Sequence, residues 1–245
     1  MNPLVKAWWW SLDYLSAIGG QLRGAFLRVV PEAYARGDDS LPAVVLIPGV
    51  YERWGFLATL AGRLNARGHR IVVIEGLRDN RMPVRDGADE VAAAIAAHGP
   101  GRYVLVGHSK GGLIGKALLA RAEADPAAAG LRGVELIGMV AIATPFAGSA
   151  YARYLPGRTL RGLAPADETI VALARAEAVN RRIVSVLPAF DPHIPGERTL
   201  GGGSTTVTLR ASGHFRVLRQ EATIAAVVEG IDSLGGGPSE RPTTE

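Results

Sequence analysis

The chain has no cysteine among its 245 residues. Disulfides, a thiolate nucleophile and cysteine-ligated zinc or iron–sulfur sites are thereby excluded. Long apolar runs are missing too. No segment reaches the roughly 18–20 uninterrupted apolar residues that cross a bilayer, so an integral membrane protein is not expected. Like charges never cluster into runs. The formal charge is +4, but 27 Lys and Arg are scattered among 23 Asp and Glu, without the basic arm that would mark nucleic-acid binding. There is no internal repeat and no inter-domain linker. What remains is a 48% apolar chain of a length suited to one α/β core with appendages.

The N-terminus, "MNPLVKAWWWSLDYLSAIGGQLRGAF", holds an early Lys6 and an apolar stretch that Asp13 interrupts, with no small-x-small cleavage site after it. It is read as a helical extension over 1–41 rather than a leader, and a cytoplasmic location is expected. Its Trp, Tyr and Phe residues either pack on the domain or contact a membrane surface peripherally.

From residue 42 onward, short β-branched runs alternate with amphipathic stretches. Strands are expected at 43–47, 70–74, 103–107, 136–143, 182–187 and 205–209. Helices are expected at 55–67, 86–98, 110–123, within 148–180, and at 217–233. This alternation specifies a doubly wound, mostly parallel sheet of about six strands over 42–233, with a small helical cap in 148–180. In such sheets functional groups lie just after the strands. The glycine, proline and polar tail 234–245 is expected to be disordered.

Gly107-His108-Ser109-Lys110-Gly111 fits G-x-S-x-G between a strand and a helix. That context marks a nucleophilic serine on a sharp turn, flanked by glycines because side chains there would collide. A base is then required. His69 precedes a strand, His98 ends a helix, and His108 is turned away by the bend. His214, after the last strand, is the candidate base, with His193 as competitor and pocket residue. Asp191, directly after the fifth strand, is the orienting carboxylate. Asp167 and Glu168 fit less well, being separated from their strand by a long insertion. The loop "LIPGVYERWGF" (46–56) should supply one oxyanion donor, the Val50 N–H with Tyr51 next, and Lys110 N–H the other. Tyr51, Trp54 and Phe146 are expected to line the substrate site, and Glu52, Arg53 and Trp54 its entrance.

These segments resemble the α/β-hydrolase superfamily, and bacterial triacylglycerol-lipase and esterase-like members in particular. "VVLIPGVYERWGFLATLAGRLNARGHRI" is similar to their first strand and oxyanion loop, "VLVGHSKGGLIGKALL" to their elbow, "VAIATPFAGSA" to the segment after the sixth strand and "SGHFRVL" to their histidine loop. Lys110 departs from the Met, Gln or Leu common there, and should alter the charge at the pocket mouth. The resemblance implies a serine hydrolase of carboxylic esters acting through Ser109, Asp191 and His214, with no metal or cofactor and a small-molecule or lipid ester as partner. An acyltransferase or thioesterase with the same triad, or a catalytically idle binding protein, is the alternative.

Overall fold

The computed structural model describes residues 3–27, 29–154, 157–194 and 199–235. Six strands, β1 (Ala43–Ile47), β2 (Ile71–Val73), β3 (Gly101–His108), β4 (Val134–Ile142), β5 (Ile183–Phe190) and β6 (Thr205–Ser212), form one sheet in the order β2-β1-β3-β4-β5-β6. Every neighbouring pair is parallel, with Val45 beside Leu105, Leu105 beside Met139 and Met139 beside Ile183. This is the α/β-hydrolase fold.

Alternation along each strand explains the layering. Val45, Ile47 and Leu105 enter a core on one face, beneath α3 (Val84–His98), α4 (Lys110–Ala124) and the short α6 (Glu168–Arg175). Val44, Leu46, Val104 and Val106 enter the core on the other, beneath α2 (Ala58–Asn65) and α7 (Glu221–Gly235). Both faces are therefore buried, which is why these strands read as continuous β-branched runs. The winding reverses between β1 and β3, so the loops after those two strands open a crevice at the carboxyl edge.

Several element boundaries differ from the sequence reading. The first helical stretch splits into a 3-10 turn, 54–57, followed by α2. The last helix starts at Glu221 instead of 217, because the chain first makes a 3-10 turn over 216–219 and Gln220 is extended (φ −86°, ψ 136°). Strands β5 and β6 run three residues further than expected, to Phe190 and Ser212, and so deliver the following loops to the crevice. The cap region holds α5 (Arg158–Arg161) and α6. Of the tail expected to be disordered, residues 236–245 lie outside the described residues. The N-terminal stretch forms α1 (Pro3–Phe26), which rests on the 54–57 and 216–219 turns. Among the described residues no helix is long and apolar enough to cross a membrane.

The core holds an unexpected cation. Lys116 of α4 is 1% exposed, with Nζ 5.7 Å from the Phe146 ring centroid. Burial pulls its pKa down to about 8, although the charge of Glu177 opposes the shift. A lysine whose folded pKa is depressed is protonated in the unfolded chain at pH values where the fold prefers it neutral, so stability rises with pH between the two pKa values. Lys116→Met is expected to stabilise the fold at pH 7 by about 1–3 kcal/mol, with part of the wild-type gain between pH 8 and 10 lost. Urea denaturation across that range measures both.

Candidate active site

Ser109 sits between β3 and α4 with φ 50° and ψ −121°, a conformation that a residue with a Cβ adopts at a cost of order 1–3 kcal/mol. The surrounding glycines make the turn feasible. A Cβ on Gly111 would lie 2.0 Å from the Ile47 carbonyl oxygen, and one on Gly107 2.7 Å from the Gly111 backbone. The serine is thereby lifted above the carboxyl edge of the sheet, at the start of α4, where the helix presents its unpaired N–H groups.

The structure brings Ser109, His214 and Asp191 together. His214 Nε2 is 2.9 Å from Ser109 Oγ, and His214 Nδ1 is 2.8 Å from Asp191 Oδ2. The other oxygen, Asp191 Oδ1, accepts the backbone N–H groups of His193 (2.8 Å) and Ile194 (3.1 Å). Burial alone would raise the Asp191 pKa, but the His214 ring and these N–H donors hold it below the usual carboxylate range. An ionised Asp191 only accepts, so Nδ1 of His214 carries the proton. Nε2 is then the free acceptor for the serine hydroxyl.

Beneath this trio lies a second buried acid–histidine pair. His108 Nδ1 is 2.9 Å from both carboxylate oxygens of Glu52, and its Nε2 is 3.0 Å from the His214 carbonyl oxygen. Both ring nitrogens face acceptors, so both must be N–H donors and the ring is an imidazolium. Burial would lower the His108 pKa, and the Glu52 charge more than reverses it. Glu52 Oε2 also accepts the Gly49 N–H at 2.7 Å. Glu52 therefore anchors the loop after β1 to the turn at Ser109, and it lines the cleft from its buried foot rather than from the entrance expected from the sequence. Val50, next to Gly49, lines the cleft, and its N–H has no partner among the described residues.

The side chain of Lys110 also departs from expectation. It does not charge the pocket mouth but is 2% exposed, with Nζ donating to Asn80 O (2.8 Å), Asn80 Oδ1 (3.1 Å) and Met82 O. Asn80 in turn donates to Pro48 O at 2.7 Å. Three acceptors match three ammonium protons, although burial draws the pKa down to about 8. Lys110 and Asn80 thus tie the loop after β2 to the loop after β1.

α1 completes the site, a role its sequence did not disclose. Asp13 is fully buried, and its Oδ1 accepts the backbone N–H groups of Phe215 (2.8 Å) and Arg216 (3.0 Å), immediately after His214. Its Oδ2 lies 3.3 Å from His193 Nε2. The His193 ring packs against Trp10, Tyr14 and His214, so it lies beside the candidate base and not against Ser109 Oγ, which His214 meets. The residue that interrupts the apolar N-terminus is the one that pins the histidine loop.

Above Ser109 opens a cleft of about 510 Å³, lined mainly by apolar groups from α1 (Trp10, Tyr14), the loop after β1 (Val50, Tyr51) and the cap region (Leu160, Leu163). Two expected lining residues are not there. Trp54 is buried on the far side of the loop, edge-on to Tyr34 at 6.3 Å. Phe146 turns into the core towards Lys116. Their aromatic side chains follow the deeper apolar core rather than the cleft. Arg53, also expected at the entrance, is exposed beside Gly24 and Trp54, around a separate cavity. Asp167 caps α6 by accepting the Thr169 N–H, and takes no part in the site. Among the described residues no three His, Asp or Glu side chains converge to hold a metal ion.

Comparison with known proteins agrees with the fold. Residues 72–161, which include the elbow, match a family described as "Putative serine esterase (DUF676)". No curated protein matches the chain. Among solved structures, a "Putative hydrolase" from Agrobacterium vitis S4 is similar with a TM-score of 0.56 and 17% identity, covering 82% of this chain and 91% of its own. A metagenome-derived lipolytic enzyme (LipS and LipT) is similar with a TM-score of 0.54 and 17% identity, over 84% and 100% of the two chains. A membrane phospholipase A gives a TM-score of 0.55 at 13% identity, over 96% and 94%.

The clamp on the histidine loop is open to measurement. Asp13→Ala leaves two backbone donors unpaired and should cost about 2–4 kcal/mol, read as a lower denaturation midpoint. Burial alone would raise the Asp13 pKa, but His193 and the backbone donors hold it below its ordinary value. The carboxylate therefore stabilises the fold above the unfolded pKa and loses that effect as pH falls through the folded one. The gap between wild type and variant should close below about pH 4.

Proposed function

We propose that the chain is a serine hydrolase of carboxylic esters with apolar acyl groups. The observation that carries this reading is the continuous line Ser109 Oγ, His214 Nε2, His214 Nδ1, Asp191 Oδ2, with contacts of 2.9 and 2.8 Å at the foot of an open apolar cleft. His214 Nε2 takes the hydroxyl proton as Ser109 Oγ bonds to the ester carbonyl carbon. The carbonyl electron pair moves to oxygen, where the N–H groups of Val50 and Lys110 receive it, each of order 3 kcal/mol at comparable sites. Collapse of the tetrahedral species expels the alcohol, which leaves with the proton from His214. Water then attacks the acyl-enzyme, His214 again acting as base, and the acid departs.

Asp191 keeps His214 in the required tautomer and offsets its transient charge. The imidazolium of His108 hydrogen-bonds the His214 carbonyl, and Asp13 holds the next two residues, so the base is fixed from both sides. The idle binding-protein alternative calls for a separated Ser109 and His214 or a filled pocket. Neither is observed, and this supports the enzyme reading.

Kinetics on short p-nitrophenyl esters test it. Ser109→Ala should reduce kcat to background. Asp191→Asn, which preserves shape but permits the wrong tautomer, should lower kcat about 10²–10⁴-fold with KM little changed. Unchanged turnover in Ser109→Ala would rule the mechanism out.

A further inference from the structure

Three sides of α1 do different things. Asp13, Gly20 and Gly24 are buried against the body, while Trp10, Tyr14, Ala17 and Gln21 line the cleft. Next around the helix come Trp8, Leu15, Ile18, Leu22 and Phe26, which are 56–82% exposed. Their spacing places them on one stripe at about 100° per residue. The stripe adjoins the cleft: Ile18 lies one turn beyond Tyr14, and Tyr14, half exposed, belongs to both surfaces. Across the mouth, Tyr151 and Tyr154 also line the cleft and are 45% and 73% exposed. An apolar surface of this extent on a single outer helix marks a contact with something other than water.

Charge indicates what that contact is. The opposite lip, residues 145–154 and 157–166, contains Arg153, Arg158 and Arg161 and no Asp or Glu. All three arginines are exposed, and among the described residues none enters an ion pair. On α1 the sole acid, Asp13, points inward, while Arg23 and the neighbouring Arg219 are at the surface. Both lips therefore present apolar side chains and cations, with carboxylates appearing only beyond the opposite lip, at Asp167 and Glu168 where α6 starts.

We propose that this face docks on a bilayer of anionic phospholipid. The α1 stripe, Tyr151 and Tyr154 enter the boundary between headgroups and acyl chains, the arginines meet the phosphates, and the cleft opens onto the lipid surface. A second copy of the chain is the poorer fit. A two-fold contact across both lips would set arginines near arginines and close the mouth above Ser109. The inference takes the cleft to be the hydrolytic site proposed above, but docking is measured without turnover.

The test uses the full-length Ser109→Ala protein and flotation with vesicles of phosphatidylcholine alone or mixed with phosphatidylglycerol. The protein should float with the mixed vesicles, bind phosphatidylcholine alone at least about tenfold more weakly, and be released by high salt. The pair Ile18→Glu and Leu22→Glu, and separately Arg158→Glu with Arg161→Glu, should each weaken partition about tenfold or more. In the wild-type background both pairs should leave turnover of a water-soluble ester unchanged, which shows that they fold. Absence of flotation, equal binding to both vesicles, or a dimer in solution that Ile18→Glu converts to monomer would each overturn the proposal. Flotation without hydrolysis of any ester by the wild type would leave docking standing and remove the hydrolase reading.

Discussion

The approach of α4 to β1 constrains everything else at the site. With Gly111 in van der Waals contact with the Ile47 carbonyl, the helix after β3 begins directly above the neighbouring strand, and Ser109 has no extended route into it. The left-handed turn follows, and with it the exposed Oγ and the helix N-terminus beneath it. The same proximity sets the β1 loop beside the elbow.

A strained turn of this kind persists only where its surroundings over-determine it. Here the restraint is polar and buried. Glu52 with the His108 imidazolium joins the β1 loop to the elbow and the histidine loop. Lys110 and Asn80 join the β2 loop to the β1 loop, and Asp13 joins α1 to the residues after His214. Each of these charges has at least two hydrogen-bonded partners, the kind of pairing under which buried ions are tolerated. The cost of desolvation becomes a fixed geometry for His214.

Much of this was legible in the sequence, for identifiable reasons. Strands buried on both faces read as β-branched runs, and loops after strands are the only places where a doubly wound sheet can hold chemistry. Ser109, Asp191 and His214 could therefore be picked by position, and they lie in contact. The supporting polar layer was not legible, because Glu52, His108, Lys110 and Asp13 bond across 30 to more than 200 residues of sequence. Asp13 looked like an interruption of an apolar stretch, and only the fold reveals the donors it meets. Trp54 and Phe146 were assigned to the cleft by proximity to its loops. An aromatic side chain beside a site can turn to either side of the backbone, and the core claimed both.

The central claim is that Ser109 is a nucleophile activated by His214. Mass spectrometry of the protein after treatment with a fluorophosphonate probe addresses it directly. A single adduct mapped to Ser109, formed by the wild type and lost in His214→Ala, is the predicted result. A fully folded wild type that forms no adduct, or one that is labelled at another residue, would contradict the account.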